Sequence, residues 1–177
     1  MPTNAPLLIC EYEHLKQEQR LRIATRDNLV CASVAAMVAV GGAALEAHSP
    51  ALLLLWPPLA LVLGLNFVAN DQKVSAIRAH ITSVIAPQLT RIVDGEVLTW
   101  ETVHRTGRGA RSRKVGQLAA NLLVFCLPAL LAPLGYTLSD GGTALLDALA
   151  AVELAGVAAL VAQIVGYSEV RQVGDRT

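Results

Sequence analysis

The chain has 177 residues, of which 54% are hydrophobic and only 16% are charged, and its formal net charge is zero. An ordinary soluble domain carries about 25% charged residues, so this composition excludes that class and favours a membrane protein. Nearly all of the charged residues lie outside four long apolar runs, which divide the chain into alternating polar and apolar segments.

The first polar segment, residues 1–27, is predicted to form a cytoplasmic helix that continues into the first apolar run. No proline interrupts the chain between Glu11 and Leu45. Glu18 and Arg22 lie four positions apart with the acid first, a spacing that stabilises a helix by ~0.3 kcal/mol. The segment lacks the positive and long apolar regions of a secretory signal, so we expect it to be retained.

Each apolar run is close to the roughly 20 residues that an α-helix needs to cross a ~30 Å hydrocarbon core. The runs are Asn28 to Leu45, Ala51 to Ala69, Leu118 to Leu138 and Ala144 to Tyr167. We therefore predict an all-α integral membrane protein with four transmembrane helices and cytoplasmic helical extensions. Its predicted parts are a cytoplasmic helix at 1–27, helices one and two in 28–69, a cytoplasmic helical segment at 70–117, helices three and four in 118–167, and a cytoplasmic tail at 168–177.

The 14 Lys and Arg residues indicate how these helices are oriented. Four precede the first run, eight lie between the second and third, and two follow the fourth, whereas the connectors 46–50 and 139–143 contain none. Segments rich in Lys and Arg stay in the cytoplasm. Both termini and the central segment are therefore predicted to be cytoplasmic.

The second run contains Pro57 and Pro58, which remove two backbone donors, so we expect this helix to kink or to begin afresh there. Two interpretations stay open. The break is either a hinge or a packing feature that neighbouring helices tolerate.

Apolar residues at helical spacing predict an amphipathic helix that continues from the second run into the central segment. They are Val74, Ile77, Ile81, Val84, Ile85, Leu89 and Ile92. Pro87 is expected to bend or split this helix, and Asp94 with Gly95 to form a turn after it. Three further apolar residues are expected to pack onto the helix, namely Val97, Leu98 and Trp100.

Five basic residues lie between Arg105 and Lys114, directly before the third run. They act either as a topology signal or as a contact for anionic phospholipid headgroups. No aromatic residue interleaves these charges, so nucleic acid is not an expected partner.

Glu101 and His104 have the three-residue spacing found in carboxylate-bridged metal bundles. Because no second copy of this pair occurs, we interpret it as a helix-surface pair and predict neither a metal nor another cofactor. The sequence shows no phosphate-binding glycine loop, Cys-x-x-Cys pair or Ser/His/Asp grouping, so an enzyme is not expected. No two of the three cysteines share an oxidising compartment, and no disulfide is predicted.

Glu153 lies nine residues into the fourth run, ~14 Å along the helix axis and close to the bilayer midplane. No Lys, Arg or His occurs in any run to pair with it. A charged carboxylate there is costly, by ~2.5 to 3.5 kcal/mol on insertion scales. Glu153 is therefore either a protonated acid that bonds helices together or a residue of a pore or proton path, and Gln163 continues its helix face.

Stripes of small residues on the first and fourth helices suit close helix packing and favour a homo-oligomer. The stripe on the fourth helix contains Ala151, Ala155, Ala158 and Ala162, and the one on the first contains Asn28, Ala32, Ala35, Ala39 and Gly42. Asn66 and Asn121 lie at similar depth near the cytoplasmic ends of helices two and three, where a hydrogen bond between them is predicted.

The strings EYEHLKQEQRLRIATRDN, LGLNFVANDQKVSAI and WETVHR resemble an uncharacterised family of small bacterial four-span integral membrane proteins. The matching positions are Glu11, Tyr12, Leu15, Glu18, Arg22, Arg26, Asp27, Asn70, Asp71, Lys73, Trp100, Glu101, His104 and Arg105. The resemblance implies this topology and a bacterial inner membrane, and it carries no activity. Among these positions we expect an ion-pair belt at the inner ends of helices one and two, made by Arg26, Asp27, Asp71 and Lys73.

Two classes of function follow from these features. The first is a homo-oligomeric channel or membrane effector controlled by its cytoplasmic segment. The second is a non-conducting scaffold that docks a cytoplasmic partner or anionic lipid through the motif positions. A transporter is a weaker third, because the two halves of the chain lack matching broken helices.

Overall fold

A computed structural model describes residues 4–95, 97–98, 110–138 and 143–174, with the backbone alone at 110–115 and 167–174. Every regular element among these residues is helical, as the sequence predicted. In chain order the elements are α1 (Ala5–Glu46), a 3-10 helix (Pro50–Leu55), α2 (Trp56–His80), a π-helical turn (Ile81–Ile85), α3 (Ala86–Val93), α4 (Ala110–Asn121), a second π-helical turn (Leu122–Cys126), α5 (Leu127–Thr137) and α6 (Ala144–Gly174).

Four helical stretches are long and apolar enough to cross a membrane, and the four predicted runs lie almost wholly within them. These stretches are Ala5–Glu46, Pro50–Val93, Gly116–Thr137 and Ala144–Gly166. The prediction of four apolar helices is therefore confirmed by length and composition for the described residues.

Helix α1 is a single element of 42 residues, so the predicted continuity of the first polar segment with the first apolar run is confirmed. The helix ends where His48 takes a left-handed backbone conformation with φ of 50°. The Ser49 N–H donates to the Ala44 carbonyl at 3.1 Å, and the His48 N–H donates to the Leu45 carbonyl at 3.2 Å. This pair of bonds is a Schellman motif, which satisfies the last carbonyls of the helix.

At the predicted proline breaks, a new helix begins. Pro57 and Pro58 lie in the first turn of α2, where a missing N–H is tolerated. Pro87 lies in the first turn of α3, directly after the π-helical turn, so the predicted split is confirmed. Asp94 then ends α3 with φ of 52°, as expected for the predicted turn.

The chain divides into two compact units. Residues 1–27 and 69–113 form the first, and residues 28–68 and 114–177 form the second. The first carries most of the charged side chains and is called the polar unit. The second contains most of the apolar stretches and is called the apolar unit.

The core of the polar unit is one apolar stripe of α2, the π-helical turn and α3. Its buried residues recur at every fourth position, and they are Ile77, Ile81, Ile85 and Leu89. Leu8, Tyr12 and Leu15 of α1 pack against this stripe, and so do Val97 and Leu98, as predicted. Burying such a side chain contributes about 1.5–3 kcal/mol, so the stripe holds the two segments of this unit together.

The core of the apolar unit joins α2, the second π-helical turn, α5 and α6. Its buried residues are Trp56, Ala60, Phe67, Val68, Phe125, Cys126, Ala129, Ala132, Val157, Leu160 and Ile164. The rings of Phe67 and Phe125 lie 5.3 Å apart between centroids in a tilted arrangement. A polar group in this core therefore has few neighbours with which to form a hydrogen bond.

Candidate functional site

The polar unit contains a buried ion pair. Asp71 on α2 is only 8% exposed, and its Oδ1 accepts a hydrogen bond from Arg26 Nη1 of α1 at 3.1 Å. Arg26 Nη2 also lies 3.5 Å from Oδ1 of the exposed Asp27. The structure thus brings together three of the four residues of the predicted ion-pair belt.

Lys73, the fourth predicted member, is exposed and makes no ion pair with the residues that the structure describes. It follows Asp71 by two positions, and residues at that spacing do not face each other on a helix. The belt therefore consists of Arg26 between two carboxylates.

Two further contacts join α1 to α2 in this unit. Arg22 Nη1 donates to Asn70 Oδ1 at 3.4 Å, while its Nε donates to Glu18 Oε1 at 3.0 Å. His80 Nε2 lies 3.0 Å from Glu11 Oε1. In these contacts, higher residue numbers on α1 pair with lower residue numbers on α2, so the two segments are antiparallel.

These two contacts were missed by the sequence reasoning, although three of their four residues are motif positions. The available signal was a set of positions in α1 that recur at alternating intervals of four and three, all of them half-buried in the structure. They are Leu8, Tyr12, Leu15, Gln19, Arg22 and Arg26. This heptad seam is apolar in its first half and polar in its second, and it marks the face that meets α2.

In the apolar unit, Glu153 on α6 is the described acidic residue whose carboxyl reaches the interior. Its Oε2 is buried and has no hydrogen-bond partner among the described residues. Asp147, in the first turn of the same helix, is exposed. The two acids of α6 therefore lie in opposite environments.

The packing of α2 against α6 gives the depth of Glu153 in the unit. Two close approaches define the register, namely Gly64 with Leu160 and Leu61 with Gly156. The residue numbers of the contact partners rise together on the two helices, so α2 and α6 run in the same direction. At this register Glu153 lies level with Pro57 and Pro58.

The packing of α2 against α5 brings a third proline to the same level. Two contacts define this register, namely Leu53 with Gly135 and Phe67 with Phe125. Higher residue numbers on α2 pair with lower residue numbers on α5, so the two helices are antiparallel and Pro133 lies level with Pro57. We call these three prolines together with Glu153 the proline layer.

The proline layer is rich in hydrogen-bond acceptors. Each proline lacks an N–H, so the Leu54 carbonyl before Pro58 and the Ala129 carbonyl before Pro133 have no donor four residues on. Pro57 and Pro133 are fully buried, which keeps water from them within the unit. A carboxyl group in such a layer has hydrogen-bonding capacity that only a proton, a water molecule or a nearby donor can satisfy.

The other predicted intramembrane polar residues lie outside this layer. Asn66 is exposed and donates through Nδ2 to the Val62 carbonyl of its own helix at 2.9 Å. Asn121 is half-buried and Gln163 is exposed. A hydrogen bond between Asn66 and Asn121 stays a prediction.

Trp100, Glu101, His104 and Arg105 lie outside the described residues. Within the described residues there is no cluster of three or more His, Cys, Asp or Glu side chains that could hold a metal ion. The prediction that Glu101 and His104 form a helix-surface pair therefore stays a prediction.

Both predicted stripes of small residues face away from the interior of the chain. The four alanines of the α6 stripe are exposed, and so are the five members of the α1 stripe. On α6 the opposite face, which carries Val157, Leu160 and Ile164, fills the core. Each stripe is thus a smooth outer surface that allows close approach of another helix.

Comparison with protein-family models, with curated proteins and with solved structures finds no match. The resemblance to a bacterial four-span family stays a prediction.

Proposed function

We propose that this chain is an integral protein of the bacterial inner membrane that forms a homo-oligomeric channel controlled by its cytoplasmic segment. The observation that carries the proposal is the buried carboxyl oxygen of Glu153, which has no hydrogen-bond partner among the described residues and lies among apolar helices. An ionisable residue within the membrane is rare and generally belongs to an ion pathway, a proton relay or a ligand site. Glu153 is the residue through which protons or cations would pass.

The proposed orientation follows from the distribution of Lys and Arg. The polar unit contains 11 of the 14, while the connectors 46–50 and 139–143 contain none. On the positive-inside rule the polar unit, with both termini, faces the cytoplasm. The proposal places the Glu153 carboxyl in the outer half of the membrane, because side chains lean toward the N-terminal end of their helix.

The proposed oligomer rests on the exposed stripes of α1 and α6. Transmembrane helices associate through small residues that let their backbones come close, since apolar side chains gain little from leaving lipid. Both stripes are available on the outside of one chain. A second copy of this chain is the proposed occupant of the α6 stripe.

The proposed control by the cytoplasmic segment rests on the contacts between α1 and α2 in the polar unit. Arg26 with Asp71 and Arg22 with Asn70 fix the ends of the two cytoplasmic extensions against each other. A ligand or partner that separates these pairs would change the orientation of both helices where they leave the membrane.

The test is ion flux in reconstituted vesicles. Glu153→Gln keeps the size of the side chain and removes its charge, so it should change flux or the dependence of flux on pH while oligomer size, measured by light scattering, stays the same. Asp147→Asn is the matched control and should leave flux unchanged. Wild-type vesicles that stay tight at every pH would contradict the channel.

A non-conducting scaffold is the second candidate, favoured by the inward orientation of Glu153 within a single chain. In that case Glu153 bonds helices together, so Glu153→Gln should be silent and Glu153→Leu should weaken assembly. The exposed Arg20 and Lys73 would then contact anionic lipid. Retention of phosphatidylglycerol by the purified protein, measured by native mass spectrometry, should fall when both are changed to Ala.

A further inference from the structure

Two other polar groups near the depth of Glu153 also lack a usual hydrogen-bond partner among the described residues. Trp56 is 2% exposed, and its Nε1 is buried without a hydrogen-bond partner among the described residues. A helical carbonyl accepts a hydrogen bond from the N–H three or four residues further on. For the Leu54 carbonyl these residues are Pro57 and Pro58, and neither has an N–H to donate. The preceding carbonyl, of Leu53, is satisfied because it accepts the Trp56 N–H.

The packing of the apolar unit brings the Leu54 carbonyl near the depth of Glu153. Leu54 is buried in a cluster with Ala150 and Tyr136, so it faces α6 one turn before Glu153. A helical side chain leans toward the N-terminal end of its helix, which carries the Glu153 carboxyl back toward Ala150. A helical carbonyl points toward the C-terminal end, which carries the Leu54 oxygen forward. The two groups approach from opposite directions along parallel helices.

Trp56 lies at nearly the same depth. The register of α2 and α6 separates Trp56 and Glu153 by between one and two residues along the axis, about 2 Å at 1.5 Å per residue. Trp56 belongs to the core that joins α2, α5 and α6, and Glu153 precedes Val157 of that core by about one helical turn. Among the described residues, the layer therefore contains an unpaired donor, the indole N–H, together with the unpaired Glu153 Oε2 and the Leu54 carbonyl, which has no helical donor.

This set of groups matches a protonated carboxyl. A carboxylic acid has one O–H donor and retains an acceptor oxygen, so it can donate to the Leu54 carbonyl and accept from the Trp56 N–H. A carboxylate would instead place two acceptors face to face in an apolar core. A metal cation prefers a shell of several oxygen ligands and is repelled by an N–H donor, so it fits the described residues poorly.

We propose that Glu153, the Leu54 carbonyl and the Trp56 indole N–H form a proton-binding site in the apolar unit. This inference deepens the proposed function and rests on the same Glu153 site, since it names the proton as the ligand of that site. Trp56 Nε1 and Glu153 Oε2 have no partner among the described residues, so the proposed site forms when Glu153 takes up a proton. The neutral acid would then donate to Leu54 and accept from Trp56, and loss of the proton would break the bond to Leu54.

Few other groups titrate near this site. The described parts of the other three apolar helices contain no Asp, Glu, Lys, Arg or His within the predicted runs, and on α5 and the π-helical turn the titratable side chains of the core are Tyr136 and Cys126. Asp147 on α6 is exposed. Titration of Glu153 is therefore the main nearby change of charge that can alter the fluorescence of Trp56.

The fluorescence of Trp56 tests the site in the full-length protein. The chain has two tryptophans, so Trp100→Phe leaves Trp56 as the sole reporter. In detergent and in lipid vesicles, its emission should change in one step with pH. Glu153→Gln should abolish the step and Asp147→Asn should preserve it. A step that survives Glu153→Gln would overturn the proposal.

A second measurement assigns the acceptor and avoids reliance on one variant. Pro58→Ala restores a donor for the Leu54 carbonyl, so the step should move to lower pH by about one unit or more. Pro133→Ala, in the same layer on α5, restores a donor for a different carbonyl and should leave the step in place. Equal shifts in the two variants would show that Leu54 is not the partner.

Infrared difference spectra between the two sides of the step should show the loss of a carboxylic-acid carbonyl band in the wild type and not in Glu153→Gln. A fluorescence step and an acid band in vesicles that stay tight would support the site and contradict the channel. Flux that depends on Glu153 without either signal would support the channel and overturn the site.

Discussion

The two units accommodate a buried carboxyl group in opposite ways. In the polar unit, Asp71 is paired at 3.1 Å with an arginine from the other segment, and the neighbouring polar side chains Arg22 and Asn70 are paired as well. In the apolar unit, Glu153 Oε2 has no partner among the described residues. Breaking a buried ion pair destabilises a protein strongly, whereas an acid that has no ionic partner can become neutral.

This contrast indicates different roles for the two acids. A paired carboxylate fixes the relative position of two helices and needs to keep its charge. An unpaired carboxyl in an apolar layer can gain and lose a proton without breaking an ion pair. The polar unit is therefore suited to structural control and the apolar unit to a step that involves protons.

The largest expected effect is an all-or-none difference in access between the two units. In a background without the three native cysteines, a cysteine at Ser49 or Thr143 should react with a membrane-impermeant thiol reagent applied from outside. Cysteines at Ser83, which is exposed in the polar unit, and at Ser112 should react only after the membrane is opened.

Protection of both outer positions would contradict the four-span topology. Reaction of the Ser83 position from outside would reverse the proposed orientation. Labelling after detergent treatment serves as the control, because all four positions should then react.

The second expected effect is loss of stability when the buried pair of the polar unit is broken. Arg26→Ala leaves the Asp71 carboxylate without its arginine in a buried position, so it should destabilise the detergent-solubilised protein by about 1–3 kcal/mol. Asp71→Ala should cost a similar amount, and the double variant should cost less than the sum by about 0.5–3 kcal/mol. Thermal unfolding midpoints measure each step.

Two matched controls sharpen this cycle. Asp27→Ala combined with Arg26→Ala should also cost less than the sum, by a smaller amount because Asp27 is exposed and its distance is 3.5 Å. Lys73→Ala should be nearly neutral. Strict additivity of Arg26→Ala and Asp71→Ala would mean that the two charges are independently solvated.

The features that could be predicted from the sequence were those encoded by neighbouring residues. The length and hydrophobicity of the four runs predicted the helices, and the prolines predicted where α2 and α3 begin. The proximity of Arg26 to Asp71 also followed, because both lie where an apolar run meets a polar segment. Lys73 was misplaced because the prediction considered distance along the chain and ignored direction around the helix.

The features that could not be predicted depend on register between distant segments. Glu11 and His80 are 69 positions apart, and only the packing of the isoleucine stripe against α1 brings them together. The location of Glu153 at the level of three prolines likewise depends on contacts between helices, such as Gly64 with Leu160. The periodicity within one helix does not specify such contacts.

The third expected effect concerns the packing that sets the depth of Glu153. A methyl group on Gly64 would lie 2.8 Å from Leu160 Cδ2, and Leu160 is fully buried. Gly64→Ala should therefore destabilise the apolar unit by about 1 kcal/mol, at the low end of overpacking effects, because the tip of a leucine can shift. Gly42→Ala on α1, with nothing within 4 Å, should be neutral or stabilise the helix.

Gly64→Ala combined with Leu160→Ala should cost less than the sum of the two single changes, since the smaller side chain removes the clash. Thermal unfolding in detergent measures all four variants. An equal effect of Gly64→Ala and Gly42→Ala would show that α2 and α6 do not approach closely at this level.

The smallest expected effect is at the outer contact of the polar unit. Glu11 and His80 lie 3.0 Å apart, but their side chains are 48% and 44% exposed, and the pair is ionic only when His80 is protonated. Exposed ion pairs contribute about 0.2–1 kcal/mol, so Glu11→Ala and His80→Ala should each change stability by less than about 1 kcal/mol. A double-mutant cycle at low salt measures their coupling, which high salt should reduce. A coupling above about 2 kcal/mol that resists salt would mean that the assembled protein buries this contact, and the polar unit would then contain a second paired acid that is shielded from solvent, in addition to Asp71.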